Sequence, residues 1–188
     1  MIQKSYEGND GILYLIPTPI GNLDDITVRA LKILKQSDFI LCEDTRVTGL
    51  LLKKYEISKK LVRCDEYSQE KVKNVVLNAL ADKKTVGLVS DAGSPIISDP
   101  GYIVSKYVIE NGYKVVALPG ATAFVPALSV SGVSPSPFTF IGFLNAKDGK
   151  RKNELENLKL KSETLIFYES PHRLLNTCLL YTSDAADE

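Results

Sequence analysis

The chain has 188 residues, 44% hydrophobic and 24% charged, with 23 basic residues set against 23 acidic ones. Such usage suits one large or two small globular domains and argues against disorder, collagen or coiled coil. No apolar run approaches the ~18–20 residues that span a bilayer, and the opening MIQKSYEGND lacks an export signal's apolar core, so a cytoplasmic location is expected.

Apolar runs alternate with amphipathic stretches along the chain, the pattern of an α/β domain with a parallel sheet. Ile12 to Ile16 reads as a buried strand, broken by PTPIGN (17–22). Asp24 and Asp25 sit where a helix N-cap and first turn favour acids, ahead of a helix from Ile26 to Gln36. A second strand, Phe39 to Cys42, ends in EDTR (43–46). Val72, Val75, Val76, Ala79 and Leu80 mark one face of a helix. Val86 to Val89 is a third strand, followed by SDAGSP (90–95). Ile103, Val104, Tyr107 and Val108 mark another helix, with Gly112 as its terminator, and Val115 to Leu118 is a fourth strand stopped by PGATA (119–123).

Beyond that point the texture changes. Ala121 to Val130 suits a short helix, and SGVSPSP (131–137) is a turn-rich break. Phe138 to Phe143 reads as a strand, and the basic stretch KDGKRK (147–152) leads into a charged helix through about Lys161. Thr164 to Tyr168 is a further strand, with a helix starting at Leu174. A domain boundary is placed within 119–133, which makes 1–120 an N-terminal α/β domain and 121–177 the start of a second, incomplete one.

The last eleven residues, CLLYTSDAADE, carry three acids, no base and no evident period. They resemble one reading frame through a transposon-end adapter used in DNA library preparation. The expectation is a non-native tail at 178–188 on a frame truncated near Thr177, and removing it leaves 23 basic residues against 20 acidic.

Four loops leave the carboxyl ends of the expected strands, where ligands bind in open α/β sheets. Small and turn residues let their backbone approach a ligand closely. Neither GxGxxG after the first strand nor GxxxxGK[ST] is present, and Glu43, Asp44 and Asp91 replace the cationic surroundings that a phosphate cradle wants. Such a pocket suits hydroxyls and positive charge, as in S-adenosylmethionine, although caps for the following helices explain Glu43 and Asp91 equally well taken singly. Three cysteines without a CxxC pair and a single histidine, His172, supply no metal site.

Taken in order, LIPTPIGNLDDITVRALKIL, CEDTRVTGLLLKKYEI, VSDAGSPIISDPGY, LPGATA and FYESPHR resemble the ribosomal RNA small subunit methyltransferase I family, from about Gly11 to Thr177. That resemblance implies a tetrapyrrole-methylase-like fold of two α/β domains with a cofactor cleft between them, and a homodimer. It implies S-adenosylmethionine-dependent methylation of the ribose 2′-hydroxyl of a cytidine in 16S rRNA. By the same resemblance Pro19, Gly21, Asn22, Ser90, Asp91, Ala92 and Gly93 line the cleft. Pro119, Gly120, Ala121, Thr122 and Ala123 hold the adenosine side, and Tyr168 and Glu169, in the second-domain signature with His172 and Arg173, are expected to bind the cofactor as well. The segment Glu66 to Glu70 departs from the more histidine- and asparagine-rich stretch of relatives, so no role is carried over to it.

A ribose hydroxyl is a weak nucleophile and benefits from a base, for which Asp91, Glu43, Asp44 and His172 are candidates. Arg46, Arg173 and the stretch Lys147, Lys150, Arg151 and Lys152 are candidates for RNA phosphates. Two other readings compete: methylation of a small tetrapyrrole-like acceptor, and a non-catalytic RNA-binding module.

Overall fold

A computed structural model describes residues 10–182. The chain divides between Ala123 and Phe124 into two compact units.

The first unit is built on five parallel strands in the order β3-β2-β4-β1-β5. They are β1 (Ile12–Leu15), β2 (Phe39–Cys42), β3 (Lys60–Arg63), β4 (Thr85–Leu88) and β5 (Lys114–Ala117). Central β2 is buried throughout and consists of continuous apolar residues, as a strand covered on both faces must. Edge strand β3 begins and ends on exposed Lys60 and Arg63, which blunts the edge and also breaks the apolar run that reveals the other strands. Ile12 pairs with Thr85 and Lys114, and Phe39 with Val86 and Lys60, so the strands start level and their carboxyl ends share one rim.

Helices α1 (Val28–Gln36) and α2 (Thr45–Lys54) cover one face, and α3 (Gln69–Ala81) and α4 (Tyr102–Glu110) the other. Ala30, Ile33, Leu34 and Leu52 pack with Ile12, Ile16 and Ile40, whereas Val72, Val76, Val104 and Val108 pack with Leu13, Leu41 and Val86. Each fully buried aliphatic side chain contributes about 1.5–3 kcal/mol of apolar transfer.

Local chemistry sets the helix ends. Asp24 and Asp25 do not begin α1; they lie in a separate 3-10 turn, Leu23–Asp25, capped by Asn22. Thr27 caps α1 instead, its hydroxyl accepting the Ala30 N–H at 3.0 Å. A hydroxyl nearer the helix satisfies the orphan N–H that more distant carboxylates cannot reach. Gly112, at φ +81°, follows α4 and lets the chain reverse.

The second unit contains α5 (Phe124–Val130), β6 (Phe138–Phe143), α6 (Asp148–Leu158), β7 (Thr164–Tyr168) and α7 (Pro171–Thr182). Strands β6 and β7 pair in parallel, with a bulge between Phe140 and Gly142. Phe140 stacks on Phe124 at 4.7 Å and meets the Tyr168 ring edge-on at 4.9 Å. Helix α6 starts inside the basic stretch. Helix α7 runs through Thr182, so the residues from Cys178 on, which show no period as a segment, extend the apolar spacing of Leu175; residues 183–188 lie outside the described ones. No helix among the described residues is long and apolar enough to cross a membrane.

Candidate functional site

The path of the chain through the first sheet places the site. From β1 the chain crosses toward β2 over one face, whereas from adjacent β4 it crosses toward β5 over the other. Neighbouring strands whose exits part to opposite faces leave a crevice at their carboxyl ends.

The loops around this crevice are tied to one another. Thr18 and Gly93 form an antiparallel bridge, with N–H to carbonyl distances of 2.9 and 3.0 Å. The buried Thr18 hydroxyl donates to the Ser90 carbonyl at 3.1 Å, and the Ser94 hydroxyl donates to the Ala121 carbonyl at 3.2 Å. The Asp44 N–H donates to Asp91 Oδ1 at 3.2 Å, which brings the EDTR loop in as well. At Gly120 the backbone passes so close to Pro17 that a Cβ would lie 2.5 Å from the proline ring. Four loops scattered over about a hundred residues thus become one rigid rim.

The segment between β4 and α4 holds unusual backbone. Gly93 and Gly101 adopt φ of +80° and +123°, and so do non-glycine Ile96 and Ser98 at +76° and +67°. A β-branched residue at positive φ is strained and persists only where its surroundings hold it, typically at functional sites. Part of that hold comes from Gln69, whose buried Oε1 accepts the N–H groups of Gly101 at 2.9 Å and Ile103 at 3.2 Å. This caps α4 from another helix, and Glu66 to Glu70, given no role from the sequence, supplies the capping residue.

Charge at the rim is negative. Burial first, then Asp91, Asp65 and Asp44, push the Glu43 carboxyl upward. Asp99 is raised from 3.8 to about 6 by burial and then by Glu43 and Asp91. Asp44 is the exception, held down to about 2 by its hydrogen bonds with Arg46, whose guanidinium lies 2.6 Å from it. No ion pair among the described residues neutralises Glu43, Asp91 or Asp99. Nor does any cluster of His, Cys, Asp or Glu among them suit a metal ion.

The other expected residues distribute as follows. Pro19 and Gly93 are buried, and Ser90 turns its hydroxyl back to the Ala92 and Gly93 carbonyls at 3.3 and 3.2 Å. Gly21, Asn22, Ala92, Pro119, Gly120 and Ala123 are exposed on the rim, with Ala121 and Thr122 half-buried. In the second unit Tyr168, Glu169, His172 and Arg173 gather where β7 passes into α7. Burial would raise the Glu169 carboxyl, but hydrogen bonds from Thr177 and Ser170 and the charge of Arg173 hold it low. Glu169 and Arg173 therefore serve first as each other's partners, 2.6 Å apart, and His172 is exposed on the first turn of α7.

One expectation is corrected. Arg151 does not face solvent as an RNA contact; only 1% exposed, it bonds to Asp148 at 2.6 Å and to the Asn145 and Ala146 carbonyls at 3.3 Å. Helix formation from Asp148 onward turns its side chain inward and leaves Lys147, Lys150 and Lys152 outside.

Residues 12–188 match the family model described as Tetrapyrrole (Corrin/Porphyrin) Methylases. The chain belongs to the tetrapyrrole methylase family. Among curated tetrapyrrole methylase relatives, the ribosomal RNA small subunit methyltransferase I of Bacillus subtilis is 50% identical over 177 residues, 93% of this chain and 61% of the relative. Its namesake from Haemophilus influenzae is 47% identical, covering 89% of this chain and 59% of that protein. The chain thus spans about three fifths of the length of these relatives. A solved structure of uroporphyrin III C-methyl transferase from Thermus thermophilus superposes with a TM-score of 0.61 at 18% identity, over 90% of this chain and 77% of that one. That likeness concerns the tetrapyrrole methylase fold alone.

Sequence reasoning missed Asp99, Gln69 and Thr18 at this candidate site. Asp99 and Thr18 both lie within quoted motifs, and the signal at Asp99 is an acid directly before Pro100-Gly101 at a helix start. Gln69 and Thr18 carry no local signal of their roles, because their partners lie 32 to 75 positions away.

Proposed function

We propose that the protein is an S-adenosylmethionine-dependent methyltransferase acting on the ribose 2′-hydroxyl of a cytidine in the 16S rRNA of the small ribosomal subunit, as a cytoplasmic homodimer. The observation that carries this reading is the 50% identity over 93% of the chain to a relative named for that class of reaction. The donor set at the rim fits the cofactor: Glu43, Asp91 and Asp99 offer negative charge without an internal cation, complementary to a sulfonium and an ammonium. When bound, the cofactor supplies an electrophilic methyl group for in-line displacement, and alignment supplies much of the rate.

The chain's own groups then have distinct tasks. The Thr18–Gly93 bridge and the Gln69 cap hold the loop after β4 in one shape, so Asp91 stays in position. Asp91 or Glu43 would take the proton of the acceptor hydroxyl, and His172 is a further candidate for that role. Exposed Lys147, Lys150 and Lys152 supply sequence-independent attraction to RNA phosphates. Ser90, Ala92, Gly93, Pro119, Gly120, Ala121, Thr122 and Ala123 would line the cofactor with Pro19, Gly21 and Asn22.

The test is methyl transfer from isotope-labelled S-adenosylmethionine to unmethylated small subunits and, in parallel, to a uroporphyrinogen. Label in the 16S rRNA as a 2′-O-methylcytidine is the expected result. Labelled porphyrin with unlabelled rRNA would overturn the reading.

A further inference from the structure

Between the turn after β1 and helix α2 lies a cavity of about 250 Å³. Leu23, Val47, Leu50, Leu51, Lys54 and Asp91 are among the residues that line it. Leu50 is 72% exposed and Val47 and Leu23 about 40% (42% and 41%), a cost in water that a monomeric surface usually avoids. The wall is preformed, since the Tyr55 hydroxyl donates to the Leu23 carbonyl at 2.6 Å.

Resting on the proposed function, we infer that this cavity receives one ribonucleoside, the acceptor nucleotide turned out of its strand. Enzymes that modify a nucleotide commonly extrude it into a pocket where apolar side chains sandwich the base. Here Leu23 and the α2 side chains Val47, Leu50 and Leu51 line a gap of that kind. The lining is also polar: Asp91 Oδ1 accepts from the Asp44 N–H, while Oδ2 has no hydrogen-bond partner among the described residues and is available to a ribose hydroxyl. Lys54 carries no ion pair among the described residues and suits the flanking phosphate.

Charge and size oppose the alternatives. Pro19, Ser90 and Asp91 belong both to this lining and to the residues given to the cofactor, so nucleoside and cofactor would meet at Asp91, with Lys54 disfavouring the cationic cofactor on the α2 side. At about 250 Å³ the cavity lies at the small end of ligand sites, on the scale of one nucleoside and not of a tetrapyrrole macrocycle. Of the candidate bases, Asp91 is the one that lines this cavity, which assigns it the proton from the bound hydroxyl.

The experiment titrates the whole chain, labelled at its leucine and valine methyl groups, with cytidine 5′-monophosphate and separately with S-adenosylhomocysteine. Cytidine 5′-monophosphate should shift the Val47, Leu50 and Leu51 methyls. Leu50→Trp, at an exposed position that tolerates the larger ring, should weaken that binding roughly tenfold or more. The same variant should keep its S-adenosylhomocysteine affinity within about twofold. Lys54→Glu should weaken cytidine 5′-monophosphate and leave uncharged cytidine unaffected. Nucleotide affinity unchanged by Leu50→Trp, no methyl shifts with nucleotide, or loss of S-adenosylhomocysteine affinity in that variant would each overturn the assignment. A wild-type chain that binds the nucleotide at these methyls but never S-adenosylhomocysteine would refute the proposed function and leave this cavity as a nucleoside site.

Discussion

Replacing Asp99 by Asn removes a carboxyl that burial, Glu43 and Asp91 raise from 3.8 to about 6. Between those two pH values the folded protein keeps a proton that the unfolded chain has released. Stability contributed by this group is therefore present below about pH 4 and lost as pH rises through about 6. At ~1.36 kcal/mol per pH unit the full cost at neutral pH is about 3 kcal/mol. The group is partly open to water, and screening reduces that cost to about 1–2 kcal/mol. Asp99→Asn should thus match the wild type near pH 4 and exceed it by about 1–2 kcal/mol near pH 7.5. Urea titrations read by amide-exchange labelling of β1 and β4 peptides report the first unit separately from the second. A variant less stable than wild type near pH 7.5, or two pH profiles that run parallel, would refute the electrostatic account. Added stability at a site that faces a ligand is the usual counterpart of lost function.

Gly93→Val should destabilise the first unit by about 1–3 kcal/mol, measurable by the same titration, because a side chain is forced into φ +80° with its Cβ 3.3 Å from Ile20. Loss of cofactor affinity would follow from collapse of the Thr18 bridge, a different cause from direct contact with the ligand. Gln69→Leu should cost about 1–3 kcal/mol by leaving the Gly101 and Ile103 N–H groups without their acceptor, whereas Gln69→Glu, which keeps that oxygen, should recover most of it; equal losses would show that the cap is not what matters. Under native conditions a thiol reagent should label Cys178 first, since Cys42 and Cys64 are buried and burial, with Asp65 and Cys42 nearby, pushes Cys64 up to about 12. Lys150→Ala should lower RNA affinity and reduce its salt slope by about one, while Arg151→Met should instead lower the stability of the second unit, seen as earlier urea unfolding of α6 peptides.

Strands β1, β2, β4 and β5 are legible as short apolar runs because both faces of a central parallel sheet are covered, and the helices α1, α3 and α4 are legible from their one-sided spacing. Helix α2 and strand β3 are not legible in the same way. Gly49 and a run of leucines hide the helix period in TRVTGLLLKK, and KLVR has charges at both ends. The loops at the strand ends were legible by composition, since glycine, proline and acids together mark close backbone approach and a cationic or hydroxylated ligand.

What the sequence by itself determined was which segments other than β3 are strands, which loops leave their carboxyl ends, and which residue types those loops carry, all properties of spacing over a few residues. Only the tertiary structure decided that Thr18 meets Gly93, that Asp91 takes the Asp44 N–H, that Gln69 caps α4, and that Arg151 turns inward while Lys150 does not. Except for Arg151, these pairings join residues 32 to 75 positions apart, and they follow from the strand order β3-β2-β4-β1-β5. The physical reason is that hydrophobic period and turn chemistry act locally, whereas the order of strands is set by the packing of the whole sheet.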